Sequence, residues 1–232
     1  MLTVALLGGV AVLTFLAVEI GPLYAADRFR DLREPTDGER GRLDDLRETA
    51  GLDAERVAIE RRGADDAGTA DGDESVGRVE VAVRGPPRRR VLFLSEAVLD
   101  GLEDDVAIGL LAAEAGRVET YYGEFRAVAV AAVVGVLAAI VTATVPFDAG
   151  FASLVTVGLA AFWVGRRVQY AADDRAADAV GAGRVADAFE RVAAIRGVEP
   201  ETGDWSTWFE VQPPLGDRIA ALREREGSEA AA

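Results

Sequence analysis

Three long apolar runs constrain this chain more than any other feature. Leu2 to Ile20 is apolar, interrupted only by threonine, glycine and, near its end, Glu19. At about 1.5 Å per residue, a helix of that length crosses a bilayer core. A cleaved signal peptide is the rival reading, with Tyr24-Ala25-Ala26 as a loose cleavage site. The missing basic leader and the length of the run favour an anchor. A second run covers Ala127 to Val145 and a third Phe151 to Val164, with Pro146-Phe147-Asp148-Ala149-Gly150 between them. Together they carry no charge outside Asp148, whereas a soluble core helix keeps a polar face. They read as a membrane hairpin. A buried soluble hairpin is the bland alternative, because the third run is short for a full span.

The arginines flanking these runs agree on one orientation. Arg28, Arg30 and Arg33 follow the first run, Arg117 and Arg126 precede the second, and Arg166 and Arg167 follow the third. The turn between the second and third has none. By the positive-inside rule the N-terminus and residues 146–150 lie outside, and the soluble parts are cytoplasmic. The expected location is the cell membrane, with several passes.

The rest of the chain is strongly acidic. Forty Asp and Glu face 25 basic residues, all of them Arg, for a net charge of -15. Such a carboxylate-rich surface suits concentrated salt, as in a halophilic organism. It also argues against nucleic acid as a partner, since no basic stripe is available to neutralise phosphates. Cysteine and histidine are both absent. Disulfides and thiolate chemistry are thereby excluded, and so are imidazole metal ligands.

Between the apolar runs the pattern is mixed. Thr36-x-x-Glu39 is a capping box opening a helix to about Ala50, which Gly51 ends. Arg56 to Arg61 and Val79 to Val83 read as strands, and Gly63 to Ser75 as a mobile loop. Gly85-Pro86-Pro87 turns the chain towards a third strand, Val91 to Leu94. Ser95 is expected to cap a short helix, and Glu103-Asp104-Asp105 to open a longer one that heads for the second apolar run. Helices are also expected over Arg166 to Val180, over Arg184 to Ile195 with Gly197 as the stop, and after Pro213-Pro214.

Three stretches, in this order, resemble the HtpX-type and CAAX-prenyl-protease-type membrane zinc metallopeptidases. Val91 to Val98, running into Leu111-Ala112-Ala113-Glu114-Ala115-Gly116-Arg117, is similar to that family's strand, short helix and H-E-x-G-H helix. Arg166-Arg167-Val168-Gln169-Tyr170-Ala171-Ala172-Asp173 is similar to its R-x-x-E-Y-x-A-D. Val211-Gln212-Pro213-Pro214-Leu215-Gly216-Asp217-Arg218-Ile219 is similar to its H-P-P-x-x-x-R-I. The resemblance spans roughly residues 36–225, and an intervening apolar hairpin belongs to the same layout. It implies an α+β, mostly helical fold: a gluzincin-like scaffold with a small β-sheet and three membrane helices. The implied parts are an anchor over 1–24, a peptidase-like part over 25–125, a membrane hairpin over 126–165 and a helical remainder over 166–232.

The resemblance also implies which residues once held zinc. The two histidines one turn apart fall at Ala113 and Arg117, with the general-base position at Glu114. The third ligand falls at Gln169, and the histidine before the proline pair at Gln212. Only Glu114 and Asp173 keep their type. A methyl group, a permanent cation and a neutral amide are poor company for a dication. No metal cofactor is therefore expected, and without an activated water Glu114 has no catalytic task. Glu114 keeps the catalytic, general-base position without that task, and Asp173 and Gln212 remain as pocket residues. Removing the metal from a carboxylate-lined site leaves the carboxylates short of a cation, so Arg117 is expected to bond Glu114, Asp173 or the Gln169 carbonyl. The bland alternative turns Arg117 towards solvent or lipid headgroups.

Three further groups invite a reading. Glu119, Glu124, Asp173 and Asp174 could gather Mg²⁺ or Ca²⁺, although solvated surface carboxylates explain them as well. Tyr121, Tyr122 and Phe125 read as interface belt or core. Trp205, Trp208 and Phe209 read as packing for the last helix, or as a partner surface if exposed. The functional expectation is a catalytically silent relative of the membrane metallopeptidases. Its partners would be the lipid bilayer and membrane-protein clients or an active homologue. An active peptidase with unorthodox ligands and a purely structural membrane module are the rivals.

Overall fold

The computed structural model describes residues 2–61, 79–197 and 213–231. The expected loop at Gly63 to Ser75, Gln212, and Trp205, Trp208 and Phe209 lie outside these residues. The fold is mostly helical with a small mixed sheet. In chain order the elements are α1 (Leu2–Phe29), β1 (Leu32–Arg33), α2 (Asp37–Thr49), β2 (Arg56–Glu60), β3 (Val81–Arg84) and β4 (Val91–Ser95). They continue with α3 (Glu96–Gly101), α4 (Asp104–Glu119), α5 (Tyr122–Val141), α6 (Phe147–Val180), α7 (Ala182–Ile195) and α8 (Leu215–Ala230).

Three helices are long and apolar enough to cross a membrane: α1 over Ala5–Ala26, α5, and the apolar part of α6. The third expected run is not a short element. It joins the polar stretch beginning at Arg166 in one helix of 34 residues, Phe147–Val180. No proline separates Val164 from Gln169 and Gly165 stays helical, so the backbone hydrogen bonds continue without a break. Pro146 precedes the helix, and Gly181, at φ +92, ends it. The boundary expected at residue 165 is therefore a change of surface, not of secondary structure. By contrast, α4 does not run on into α5. Tyr121 takes the left-handed conformation at φ +54, and the chain changes direction there.

The sheet order is β1-β2-β4-β3. β2 and β4 are parallel, and the two outer pairings are antiparallel. β1 was not apparent in the sequence because it is only two residues long. Side chains alternate across β4 with the period of two that a strand imposes. Leu92 and Leu94 enter the main core with Leu43, Ile59, Leu111 and Val185, while Phe93 turns to the other face and meets Ala26. The last turns of α1 thus close one face of the sheet, and α4 lies on the other.

The capping box is present: Thr36 Oγ1 accepts from the Glu39 amide, and the Glu39 carboxylate accepts from the Thr36 amide at 2.7 Å. Ser95 behaves differently from expectation. Its side chain makes no cap bond to α3; its Oγ instead accepts from the Glu80 amide at 3.1 Å. A tertiary donor across the strand pair has displaced the local one.

Glu39 also links α2 to the sheet through Arg33, which donates to both of its carboxylate oxygens at 2.8 Å and to Glu96 at 2.8 Å. These bonds from Arg33 hold the Glu39 carboxyl at about 2, against the opposing effect of burial and with added help from Thr36. A carboxylate depressed in the folded state contributes stability above its unfolded value of about 4.3, and loses it as pH falls through the folded value. Thermal melts of wild type and Glu39→Gln should therefore differ most above about pH 4.3. The gap should close as pH is lowered towards 2.

Candidate functional site

The residues singled out in the sequence meet where α4 packs on α6. Two features of α4 make this junction possible. Its buried face is built from small residues, Ala112, Ala113, Ala115 and Gly116. At Gly116 a Cβ would lie only 2.1 Å from the Ala172 carbonyl oxygen, so no side chain fits between the helices. Gly109 makes a second close approach, to Arg184 and Ala188 at the start of α7. Gly116 is thus required for a steric reason that needs no metal.

Glu114 points from this face towards the sheet edge and is only 8% exposed. Its Oε2 accepts from the Val83 amide of β3 at 3.3 Å, and its Oε1 accepts from Arg117 Nη1. Arg117 lies one turn along the helix, at i+3, with its guanidinium 5.9 Å from the Tyr122 ring centre. Burial disfavours its charge, but Glu114, Asp173 and Tyr122 outweigh this and raise its pKa above the usual arginine value. The left-handed turn at Tyr121 is what brings Tyr122 back beneath Arg117. Tyr122 is buried and Tyr121 is exposed, so the tyrosine pair does not form a common belt.

Gln169 and Asp173 are one turn apart on α6, and both are buried. Gln169 Nε2 donates to Asp173 Oδ1 at 3.3 Å. The cation bonded to Asp173 is Arg218 of α8, not Arg117. Its Nε donates to Oδ2 at 2.7 Å and its Nη2 to Oδ1 at 2.6 Å, a bidentate pair. The Arg218 guanidinium lies 4.4 Å from the centre of the Phe189 ring on α7. Three helices, α6, α7 and α8, are tied together by this one contact. Arg218 belongs to the third resembling motif, but its pairing with Asp173, 45 residues away, was not foreseen in the sequence.

This donor set does not fit zinc. Ala113 offers a methyl group, and Arg117 brings a cation already bonded to Glu114. Both Asp173 oxygens are bonded by Arg218. Gln169 Oε1 has no hydrogen-bond partner among the described residues, yet a single amide oxygen is far from the three protein ligands a zinc peptidase uses. The carboxylates considered for Mg²⁺ or Ca²⁺ do not converge either. Glu124 pairs with Arg90 and Asp174 with Arg225. Among the described residues no three acidic groups come together as a metal site. A cavity of about 200 Å³ opens beside Glu114 and Arg117, walled by β3, by α1 at Glu19 and by the start of α5.

The fold is similar to that of the crystal structure of S. mikatae Ste24p, with a TM-score of 0.65 at 16% sequence identity. The match covers 96% of this chain and 58% of that one, so the chain spans well under two thirds of the longer protein. No family model matches the sequence, and no curated protein matches it.

The Asp173–Arg218 pair should behave as a buried ion pair. Replacing Arg218 alone by Met strands the carboxylate and should cost about 3–5 kcal/mol. Adding Asp173→Leu to Arg218→Met should recover most of that loss, measured by thermal or chemical unfolding in detergent. Equal instability of the single and double variants would show that the pair is not the source.

Proposed function

We propose that this chain is an integral membrane protein on a gluzincin-like metallopeptidase scaffold, related to the HtpX-type and CAAX-prenyl-protease-type enzymes. Its cleft would bind polypeptide without cleaving it. The reading rests above all on Glu114. A general base must be free to take a proton from a water held by a metal, and this carboxylate is committed to a guanidinium and a backbone amide. The ordered motifs in the sequence and the fold likeness to Ste24p support the descent independently.

Binding is supported by the cleft itself. β3 is an edge strand among the described residues and lines the cavity beside Glu114. Glu80, Ala82 and Arg84 alternate towards β4, so the main chain of Val81 and the Val83 carbonyl face outward, while the Val83 amide is taken by Glu114. An extended segment can add to such an edge through main-chain bonds. The N-terminus and the α5–α6 turn lie outside, and the cleft faces the cytoplasm. There the chain holds membrane-protein clients, or occupies the partners of an active homologue, in membrane-protein quality control.

Two measurements on the same preparation test this. Casein incubated with wild type and with Glu114→Gln should be cleaved to the same background level. A photo-crosslinker placed at Val81 should capture a specific protein from native membranes. Cleavage that Glu114→Gln abolishes would make the chain an active peptidase, and a crosslinker that captures nothing would leave a structural module.

A further inference from the structure

The β3–β4 hairpin is placed unusually low against the membrane helices. At the top of β3, Glu80 pairs with Arg30, just beyond the end of α1, at 3.2 Å. At the bottom, a Cβ on Gly85 would come within 3.1 Å of the Leu23 side chain. β3 therefore runs against the direction of α1, descending about 10 Å along its axis. Leu23 lies inside the apolar span Ala5–Ala26. The cavity beside β3 reaches deeper still, joining Arg84, Gly85 and Arg90 to Val18 and Glu19 of α1 and to Arg126 of α5. The hairpin tip, Pro86 to Arg89, is consequently level with the last turns of the span, where headgroups lie.

That tip is basic in a chain of net charge -15. Many described arginines meet a carboxylate, as Arg33 does Glu39, Arg42 Asp104, Arg218 Asp173 and Arg223 Glu190, while others such as Arg56 and Arg191 have no ion pair. Arg88 and Arg89 are exposed and have no ion-pair partner among the described residues, while Arg126 shares the cavity with Glu19, whose charge it favours. The backbone adds an independent observation. The Arg89 amide donates to the Pro86 carbonyl at 3.0 Å, closing a turn with Pro87 and Arg88 at its centre. Arg88 adopts φ +69, a position where glycine or asparagine is the ordinary choice. An arginine held at a glycine-like position, unpaired and at headgroup depth, points to a ligand outside the protein.

We propose that the β3–β4 hairpin, with Arg88 and Arg89 at its tip and Arg126 beside the same cavity, binds the phosphates of anionic lipid headgroups. This contact seats the small sheet, and with it the Glu114 edge of the cleft, on the membrane surface. Arginine suits the task because its planar fork bonds phosphate oxygens in pairs. The proposal rests on the membrane placement of α1 and α5, and is independent of whether the cleft is silent or active.

The chain has no cysteine, so single labels can be placed at will. Full-length Pro87→Cys, Val12→Cys and Arg191→Cys, each carrying one fluorophore, would be placed in nanodiscs of phosphatidylcholine with and without phosphatidylglycerol. Val12 reports the middle of α1 and Arg191 the exposed side of α7. The Pro87 label should be quenched by lipids spin-labelled near the headgroup and shielded from iodide, and the shielding should deepen with phosphatidylglycerol. Retention of phosphatidylglycerol over phosphatidylcholine, read by native mass spectrometry, should fall about fivefold for each of Arg88→Gln and Arg89→Gln. A Pro87 label open to iodide while the Val12 label is quenched by lipid would overturn the proposal and leave the membrane reading intact. Iodide access at Val12 would instead overturn the membrane reading, and the proposal with it. Displacement of the lipid by millimolar inorganic phosphate would identify a free-anion site, and shielding of the hairpin by an acidic peptide a protein site; either contradicts a lipid contact.

Discussion

A carboxylate taken out of water must have a cation close by, and this structure is organised around meeting that demand with arginine. Glu114 and Asp173 are buried on facing helices. Each is matched with its own guanidinium, Arg117 from the same helix and Arg218 from the last one. The arrangement closes two needs at once. It neutralises charge inside the fold, and through Arg218, stacked on Phe189, it ties α6, α7 and α8 into one body. The described donors between these helices are taken up by the guanidinium groups and do not offer three free ligands to a dication.

Steric fit and charge cooperate at this junction. The α4–α6 approach depends on Gly116 meeting the Ala172 backbone, and that closeness is what places Arg117 within the field of Asp173. A small-residue helix face and a paired interior keep the cleft in shape whether or not anything is hydrolysed within it.

Much of this was legible in the residues. The three apolar runs gave the membrane helices, Thr36 and Glu39 gave a capping box, and the ordered motifs brought Glu114, Arg117, Gln169 and Asp173 into one region. What was not legible depended on partners distant in sequence. Ser95 bonds Glu80 across the strand pair instead of capping its own helix, because a tertiary amide competes with the local ones. Arg218 reaches Asp173 over 45 residues, and no local pattern announces such a pair. The merging of the third apolar run with the polar half of α6 was hidden because hydropathy changes at Arg166 while the helix does not. The descent of β3 along α1 was equally invisible, since alternation fixes which face a side chain takes but not the depth of a strand.

The account stands on the claim that guanidinium and amide have replaced a metal between α4 and α6. Metal analysis of the full chain, purified without chelator and dialysed against trace zinc, tests it most directly. The account predicts zinc at background level, unchanged in a Gln169→Ala variant. One zinc per chain, lost on Gln169→Ala or Glu114→Ala, would contradict it.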